Sequence, residues 1–319
     1  MRATTIHLPF TGALDWPAAL RFFTTRAVDG VEQVDGERYR RTVRIGNARG
    51  VLEVGSAEPD RALVVKLQLP TTADQAEVIA RLRRMFDLDA DLPVINAHLA
   101  SDRAMAQLVA ARPGLRVFGG WDPFEVAMRT ISGQQVSVER ARHLNGVLVA
   151  RCGAALTSGD SAGLRHLFPT PREVLDADLA GMGMPGARVA TLKTMAEAVV
   201  ADPGLFETGR SLDDTIARLR AIKGIGEWTA HYIAMRACRQ PDAFPPSDVG
   251  LLRGAAGADG SRPTPAALLA RAEPWRPWRA YAAHHLWTVD SAGGSGTSIP
   301  PQAPECGPAW ALSHWAHDE

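Results

Sequence analysis

The sequence predicts an α+β protein: a small antiparallel α/β domain at the amino end, followed by a mostly helical region. Two patterns carry this. Apolar residues alternate with period 2 only within residues 1 to 88, whereas from 89 to 290 they recur with helical period behind readable caps. A third observation sets the scale, because 319 residues that are 46% hydrophobic are enough for two or three packed domains.

In chain order, Trp16 to Val28 reads as a helix, Tyr39 to Ile45 and Leu63 to Leu69 as alternating strands, and the stretch around Ala73 to Phe86 as a second helix. Strands flanked by helices in this way indicate an antiparallel layer over residues 1–88. Residues 89–290 are expected to form two helical subdomains with a cleft between them. Asp122-Pro-Phe-Glu125 and Thr170-Pro-Arg-Glu173 each supply a cap, a proline at the first helical position and a glutamate at the third, so both mark helix starts. Residues 291–319, opening with Ser291-Ala-Gly-Gly-Ser-Gly-Thr-Ser298 and containing Trp310 and Trp315, lack any sustained period and read as a mostly disordered tail.

Thirty-five basic residues balance thirty-five acidic ones, and the isoelectric point is near 7.1. Bulk charge therefore does not bind this chain to nucleic acid, and any such affinity must come from local patches and a pocket. Lys66, Lys193 and Lys223 are the only lysines, which limits the candidates for an amine nucleophile. Cys152, Cys238 and Cys306 stand far apart, so neither zinc nor an iron–sulfur cluster has ligands at workable spacing; no metal and no cofactor is expected. The start lacks the apolar run of a signal peptide and no stretch has the ~18 apolar residues of a membrane span, so the expectation is a soluble, monomeric protein of the reducing cytoplasm.

The most informative segment runs from Ile222 to Ala230, followed by Asp248. Leu219 and Ile222 lie at helical spacing ahead of Gly224-Ile225-Gly226, and a helix pattern follows from Thr229 to Arg236. The free N–H groups at the start of that helix, with those of the glycines, can point at a phosphate, and a residue without Cβ permits the close approach. This is a helix-hairpin-helix, although the same tripeptide also serves as an ordinary helix–helix turn. Between Thr215 and Gln240 stand Arg218, Arg220, Lys223, Arg236 and Arg239 against the single anion Glu227, which makes the hairpin a local basic patch.

Gly224-Ile-Gly-Glu-Trp-Thr-Ala-His-Tyr232, Phe244-Pro-Pro-Ser-Asp248, Ile131-Ser-Gly-Gln-Gln-Val-Ser137, and Trp275-Arg-Pro-Trp-Arg-Ala-Tyr281 with His285-Leu-Trp287 occur in one order. In these segments the chain resembles the helix-hairpin-helix DNA glycosylase superfamily, and within it the AlkA-type 3-methyladenine DNA glycosylases, over most of residues 1 to 290. The resemblance implies a partner, double-stranded DNA carrying damaged bases, and a hairpin (Gly224, Ile225, Gly226, Thr229) that grips its backbone.

Asp248 opens a short predicted helix, where an aspartate is commonly just an N-cap. Capping also keeps a carboxylate ionised and oriented. The resemblance gives it the catalytic role: stabilising the oxocarbenium-like sugar and guiding water to the anomeric carbon. Trp228 stands where bifunctional relatives place a Schiff-base lysine, which implies release of a base without strand cleavage.

Trp228 and Tyr232 are four residues apart and share a helix face, an arrangement that core packing also explains. The resemblance places them with Trp287 and Phe22 in a base pocket, where electron-rich rings attract a cationic plane by ~0.5–2 kcal/mol per contact. The loop Gly133-Gln134-Gln135-Val136 matches the family's wedge loop, with Gln135 where the best-known member has leucine; read alone, it is equally a helix-joining turn. Trp275, Trp278 and Tyr281 are assigned to packing, and His231, His284 and His285 have no acidic partner at useful spacing. The readings left standing are a monofunctional glycosylase for alkylated purines, one for deaminated or oxidised bases, and a non-catalytic DNA clamp, which would need neither Asp248 nor the rings.

Overall fold

The computed structural model describes residues 4–57, 61–70, 74–156, 163–257 and 259–291. The predicted tail from 292 onward lies outside the described residues. Five antiparallel strands, β1 (Thr4–Pro9), β2 (Glu32–Asp35), β3 (Arg38–Ile45), β4 (Ala48–Ala57) and β5 (Ala62–Gln68), form one sheet in the order β1-β5-β4-β3-β2. Helices α1 (Trp16–Arg26) and α2 (Gln75–Phe86) share its core. Their contact is aromatic: the Phe23 ring centroid lies 4.7 Å from that of Tyr39 on β3 and 5.3 Å from that of Phe86 on α2. Alternation in β5 buries Leu63, Val65 and Leu67. β4 was not foreseen, because Gly50 and Gly55 resemble strand breakers; Gly50 is there because a Cβ would stand 1.9 Å from the Gln68 carbonyl oxygen of β5.

The helical region comprises α3 (Leu92–Leu99), α4 (Arg103–Ala111), α5 (Pro123–Ser132), α6 (Val138–Cys152), α7 (Pro171–Asp176), α8 (Gly186–Ala201), α9 (Leu212–Arg220), α10 (Glu227–Arg236), α11 (Val249–Gly254), α12 (Pro265–Arg271) and α13 (Arg279–Ser291). The two starts read from sequence are present. Thr170 and Glu173 close a reciprocal capping box on α7. Asp122 caps α5, but Glu125 does not return to the cap; it is buried in an ion-pair network instead. Trp275 and Tyr281 are core residues, the Trp275 indole donating to Asp102 Oδ2 at 3.1 Å.

That network fixes the sheet to α5. Arg41 of β3 donates to Glu125 Oε2 at 2.7 Å, Arg129 lies 2.8 Å from Glu125 Oε1 and also pairs with Glu32, and the Tyr39 hydroxyl donates to Glu32. Burial disfavours the charge on Arg41, yet Glu125, Tyr39 and Glu32 more than restore it and its pKa is raised. Burial likewise opposes the charge on Glu32, and Arg129 and Arg41 outweigh it, so its pKa is lowered. Arg116, fully buried, staples three more carbonyl oxygens: Asp87 at 2.6 Å, Thr11 at 2.6 Å and Ala13 at 3.0 Å.

Two stability predictions follow from these buried charges. Glu125→Ala leaves Arg41 and Arg129 short of an anion and is expected to cost ~3–5 kcal/mol in urea unfolding; a loss under ~1 kcal/mol removes the network as the joint between sheet and helices. His285 on α13 is held neutral, its pKa lowered by burial and then by Arg112 from 6.5 to about 4. The unfolded imidazole takes up a proton as pH falls below 6.5, whereas the folded one resists until about 4. Stability is therefore complete above that window, falls by roughly 3 kcal/mol across it, and loses nothing further from this group below it. His285→Gln is expected to flatten that part of the pH profile.

Candidate active site

The hairpin joins α9 to α10, with Ile222 and Ile225 buried in the helical core as anchors. Its two glycines have different reasons. Gly224 adopts φ +92°, and a Cβ there would stand 2.0 Å from Thr191 Oγ1 of α8, so it serves the fold. Gly226, the N-cap of α10, has φ −87° and open space around a would-be Cβ. It has no internal reason to be glycine. No side chain caps α10, which starts at Glu227 rather than Thr229, so its first N–H groups have no side-chain acceptor at the cap.

Gln134 and Gln135, though adjacent, have different surroundings. Gln134 Nε2 donates to the Gly224 carbonyl oxygen at 3.1 Å and to Thr229 Oγ1 at 3.0 Å, bracing the hairpin from the loop between α5 and α6. Gln135 is exposed and left-handed, at φ +56°, an unusual conformation for a residue with a side chain. Thr229, buried, spends its hydroxyl on Gln134.

The basic patch needs correction. Arg236 is buried, Arg218 pairs with Asp202, Arg220 lies 2.9 Å from Glu227, and Arg239 pairs with Asp87. Of the five cations counted in the sequence, Lys223 and Arg236 have no ion pair among the described residues, and of these two only Lys223 is exposed. His231 also differs from expectation: Glu227, four residues earlier, lies 3.2 Å from its Nε2, while its Nδ1 accepts from the Phe244 N–H. Burial lowers its pKa and Glu227 only partly offsets this, so the neutral ring with a proton on Nε2 satisfies both contacts.

Asp248 is where α10, α11 and α13 meet. As N-cap of α11 it accepts from the Leu251 N–H at 2.9 Å through Oδ1. The Trp287 indole donates to the same oxygen at 2.8 Å and the Trp228 indole to Oδ2 at 2.8 Å. Three donors occupy three of the roughly four acceptor positions of a carboxylate, so about one position on Oδ2 remains for a ligand. Gly250 makes this possible, since a Cβ there would come within 3.0 Å of Trp287 Cδ1 and 3.1 Å of Asp248 Oδ1. It was missed in the sequence because a glycine inside a short helix carries no signal of what packs on it.

The rings are brought together in part. Trp228 and Tyr232 stack at 5.3 Å with planes 22° apart, and Trp287 meets Tyr232 at 6.0 Å and 60°. Phe22 of α1 has Phe23 and Phe118 as ring neighbours, and joins the others through a cation. The Arg236 guanidinium lies 4.6 Å from the Phe22 ring centre, 4.7 Å from that of Tyr232 and 5.3 Å from that of Trp287. Arg26 covers Phe22 at 4.3 Å. Residues 228, 232 and 236 stand at successive spacings of four on α10, so Arg236 was legible as a member of this face. Burial raises the pKa of the Tyr232 phenol, and Arg236 and Arg26 outweigh it to give a net lowering.

Residues 5–122 match the AlkA N-terminal domain, and residues 128–280 match the HhH-GPD superfamily of base excision DNA repair proteins. The DNA-3-methyladenine glycosylase 2 of Escherichia coli is 35% identical over 282 residues, covering 86% of this chain and 94% of that protein. The chain belongs to the AlkA family. A Mycobacterium tuberculosis relative, "Probable bifunctional transcriptional activator/DNA repair enzyme AlkA", is 34% identical over 285 residues, 89% of this chain; the chain spans 57% of that relative's length. Among solved structures, a 3-methyladenine DNA glycosylase from Archaeoglobus fulgidus has the same fold, with a TM-score of 0.78 at 20% identity over 91% of this chain and all of that one.

The unlike glycines of the hairpin can be separated by experiment. Gly224→Ala forces a side chain into a left-handed position against Thr191 and is expected to cost at least ~2 kcal/mol in urea unfolding. Gly226→Ala meets nothing and is expected to cost under ~1 kcal/mol. Equal losses would mean that Gly226 also serves the fold.

Proposed function

We propose that this chain is a monofunctional DNA glycosylase, acting as a monomer and without a cofactor on duplex DNA, which excises alkylated purines by hydrolysis of the N-glycosidic bond in base-excision repair. The domain division we propose with it is 1–88 and 89–290. One observation carries the reading most: a carboxylate held by a helix N-terminus and by the N–H edges of two indoles whose rings flank it. A clamp for DNA has no use for such a group.

The donors fix Asp248 in direction, so the carboxylate is preorganised where positive charge collects on the sugar. Its remaining acceptor position can take a proton from the attacking water. An N-alkylated purine leaves as a neutral base and needs no general acid, which agrees with His231 being spent on Glu227 and Phe244. To reach the rings a base must leave the duplex, and exposed Gln135 is the candidate to fill the gap. Gly226, with the open N–H groups of α10, is the candidate phosphate contact; Gln134 acts on it from behind.

Two of the three lysines are engaged elsewhere, and Lys223 stands exposed on the hairpin. Lys66 lies 3.4 Å from Glu53 in the sheet, Lys193 donates to the Leu175 and Ala177 carbonyl oxygens at 2.7 Å each, and Trp228 occupies the position of the relatives' lysine. Asp248→Asn keeps the shape of the cap and removes the charge, and is expected to lower release of 7-methylguanine from methylated duplex by on the order of 10²–10³ while binding to abasic DNA persists. Free base is expected without nicked strand, and borohydride is expected to trap no protein–DNA adduct. Near-normal release by the Asn variant would overturn the role of Asp248; a trapped adduct lost in Lys223→Ala would overturn the monofunctional reading.

A further inference from the structure

Arg236 is a buried cation that the alkylated-purine reading does not need. Its side chain is enclosed, 5% exposed, and among the described residues no carboxylate pairs with it. Nη1 donates to the Phe118 carbonyl oxygen, whereas Nε is buried without a hydrogen-bond partner. Beside it His284 is buried, its ring edge-on to Trp287 at 5.3 Å, and its Nε2 also lacks a partner. Arg236 Nε and His284 Nε2 thus both lie unpaired beside the same rings. Burial lowers the Arg236 pKa to about 10, with Arg26 and Arg239 adding to it against Tyr232, and at neutral pH the guanidinium is still charged.

Trp287 separates two charges of opposite sign. Its N–H edge is 2.8 Å from Asp248, and its ring is 5.3 Å from the Arg236 guanidinium. The arrangement matches the charge separation of one particular reaction. When the C1′–N9 bond of an uncharged purine breaks, both electrons leave with N9, so the sugar becomes positive and the base negative. When the purine is already a cation, the base leaves neutral. A fixed cation on the base side stabilises the departing anion of the first case, whereas in the second it first repels a like charge, so relative to free enzyme and DNA it favours the uncharged purine. His284 cannot supply a proton in its place, because burial, then Arg236 and Arg26, hold its pKa well below the usual histidine range.

We propose that Arg236 is a specificity-determining residue of the base pocket, one that stabilises the negative charge on a departing uncharged purine and so sets the balance between uncharged and cationic bases. Water bonds to C1′, its proton ends on the released base, and Arg236 keeps its own. The proposal rests on the glycosylase reading and deepens it.

The test is release, by the full chain at subsaturating substrate and read as kcat/KM, of hypoxanthine (uncharged) and 7-methylguanine (cationic) from otherwise identical duplexes. Arg236→Gln is expected to lower the ratio of hypoxanthine release to 7-methylguanine release by on the order of 10²-fold. Arg236→Lys keeps the charge and is expected to hold the ratio of the two rates within about threefold of wild type. The proposal is overturned if Arg236→Gln lowers both rates alike, or if wild type releases 7-methylguanine but not hypoxanthine. Should the Gln variant fail to fold by circular dichroism, Arg236→Lys decides alone, a fall of about tenfold or more in the ratio counting against the proposal. Wild type that releases neither base overturns the glycosylase reading itself, a result distinct from all the others.

Discussion

The Asp248 carboxylate is the constraint on which the remaining geometry depends, because it holds three helices to one point. It caps α11, draws Trp228 from α10 and draws Trp287 from α13. A charged group left unpaired so close to the core is costly, so the indoles are held as firmly as the carboxylate. The backbones must then approach closely. Gly254 of α11 allows this, since a Cβ there would stand 2.1 Å from the Leu286 carbonyl oxygen of α13. Any side chain at that position separates the two helices and moves Trp287 away from its acceptor.

The sheet takes part in the site although it contributes none of these groups. Its α1 carries Phe22 and Arg26, which reach Arg236 only if the sheet is docked on the helices in one orientation. Non-directional apolar contact does not specify an orientation, whereas paired charges and hydrogen bonds do. Arg41, Glu125, Arg129 and Glu32 provide that at one end, and Asp87 at the other, where it accepts from the Tyr281 hydroxyl and the Val117 N–H and pairs with Arg239. On this account the buried ion pairs serve register more than stability.

Much of this was legible in the sequence. Asp122, Thr170 and Asp248 announce helix starts because an N-cap is decided within three residues. Trp228 and Tyr232 share a face because helical spacing requires it. Contacts between distant segments were not legible. Glu125 reads as the third residue of a capping box until Arg41, 84 positions away, takes it. Arg236 and Arg239 read as surface cations in a basic stretch, and only tertiary packing turns one toward three rings and the other toward Asp87. Gly224 and Gly226 look alike in sequence, yet the neighbour that separates them, Thr191, comes from α8. Glu227 and His231 differ, since a spacing of four on one helix is itself a sign of their contact.

Neutral overall charge takes on a physical meaning once the cations are located. A glycosylase that slid along DNA by bulk attraction would need a net positive charge, which this chain lacks, and some of its arginine is spent inside: Arg41, Arg116, Arg236 and Arg279 are buried. Spent that way, the charge is not screened by salt and acts over a few ångströms with a low local dielectric. A fixed anion stands on one edge of Trp287 and a fixed cation on its face, and on the proposed reading a base meets both only after it has left the stack. Selectivity in such a design comes less from holding DNA than from what happens to charge once the base is inside.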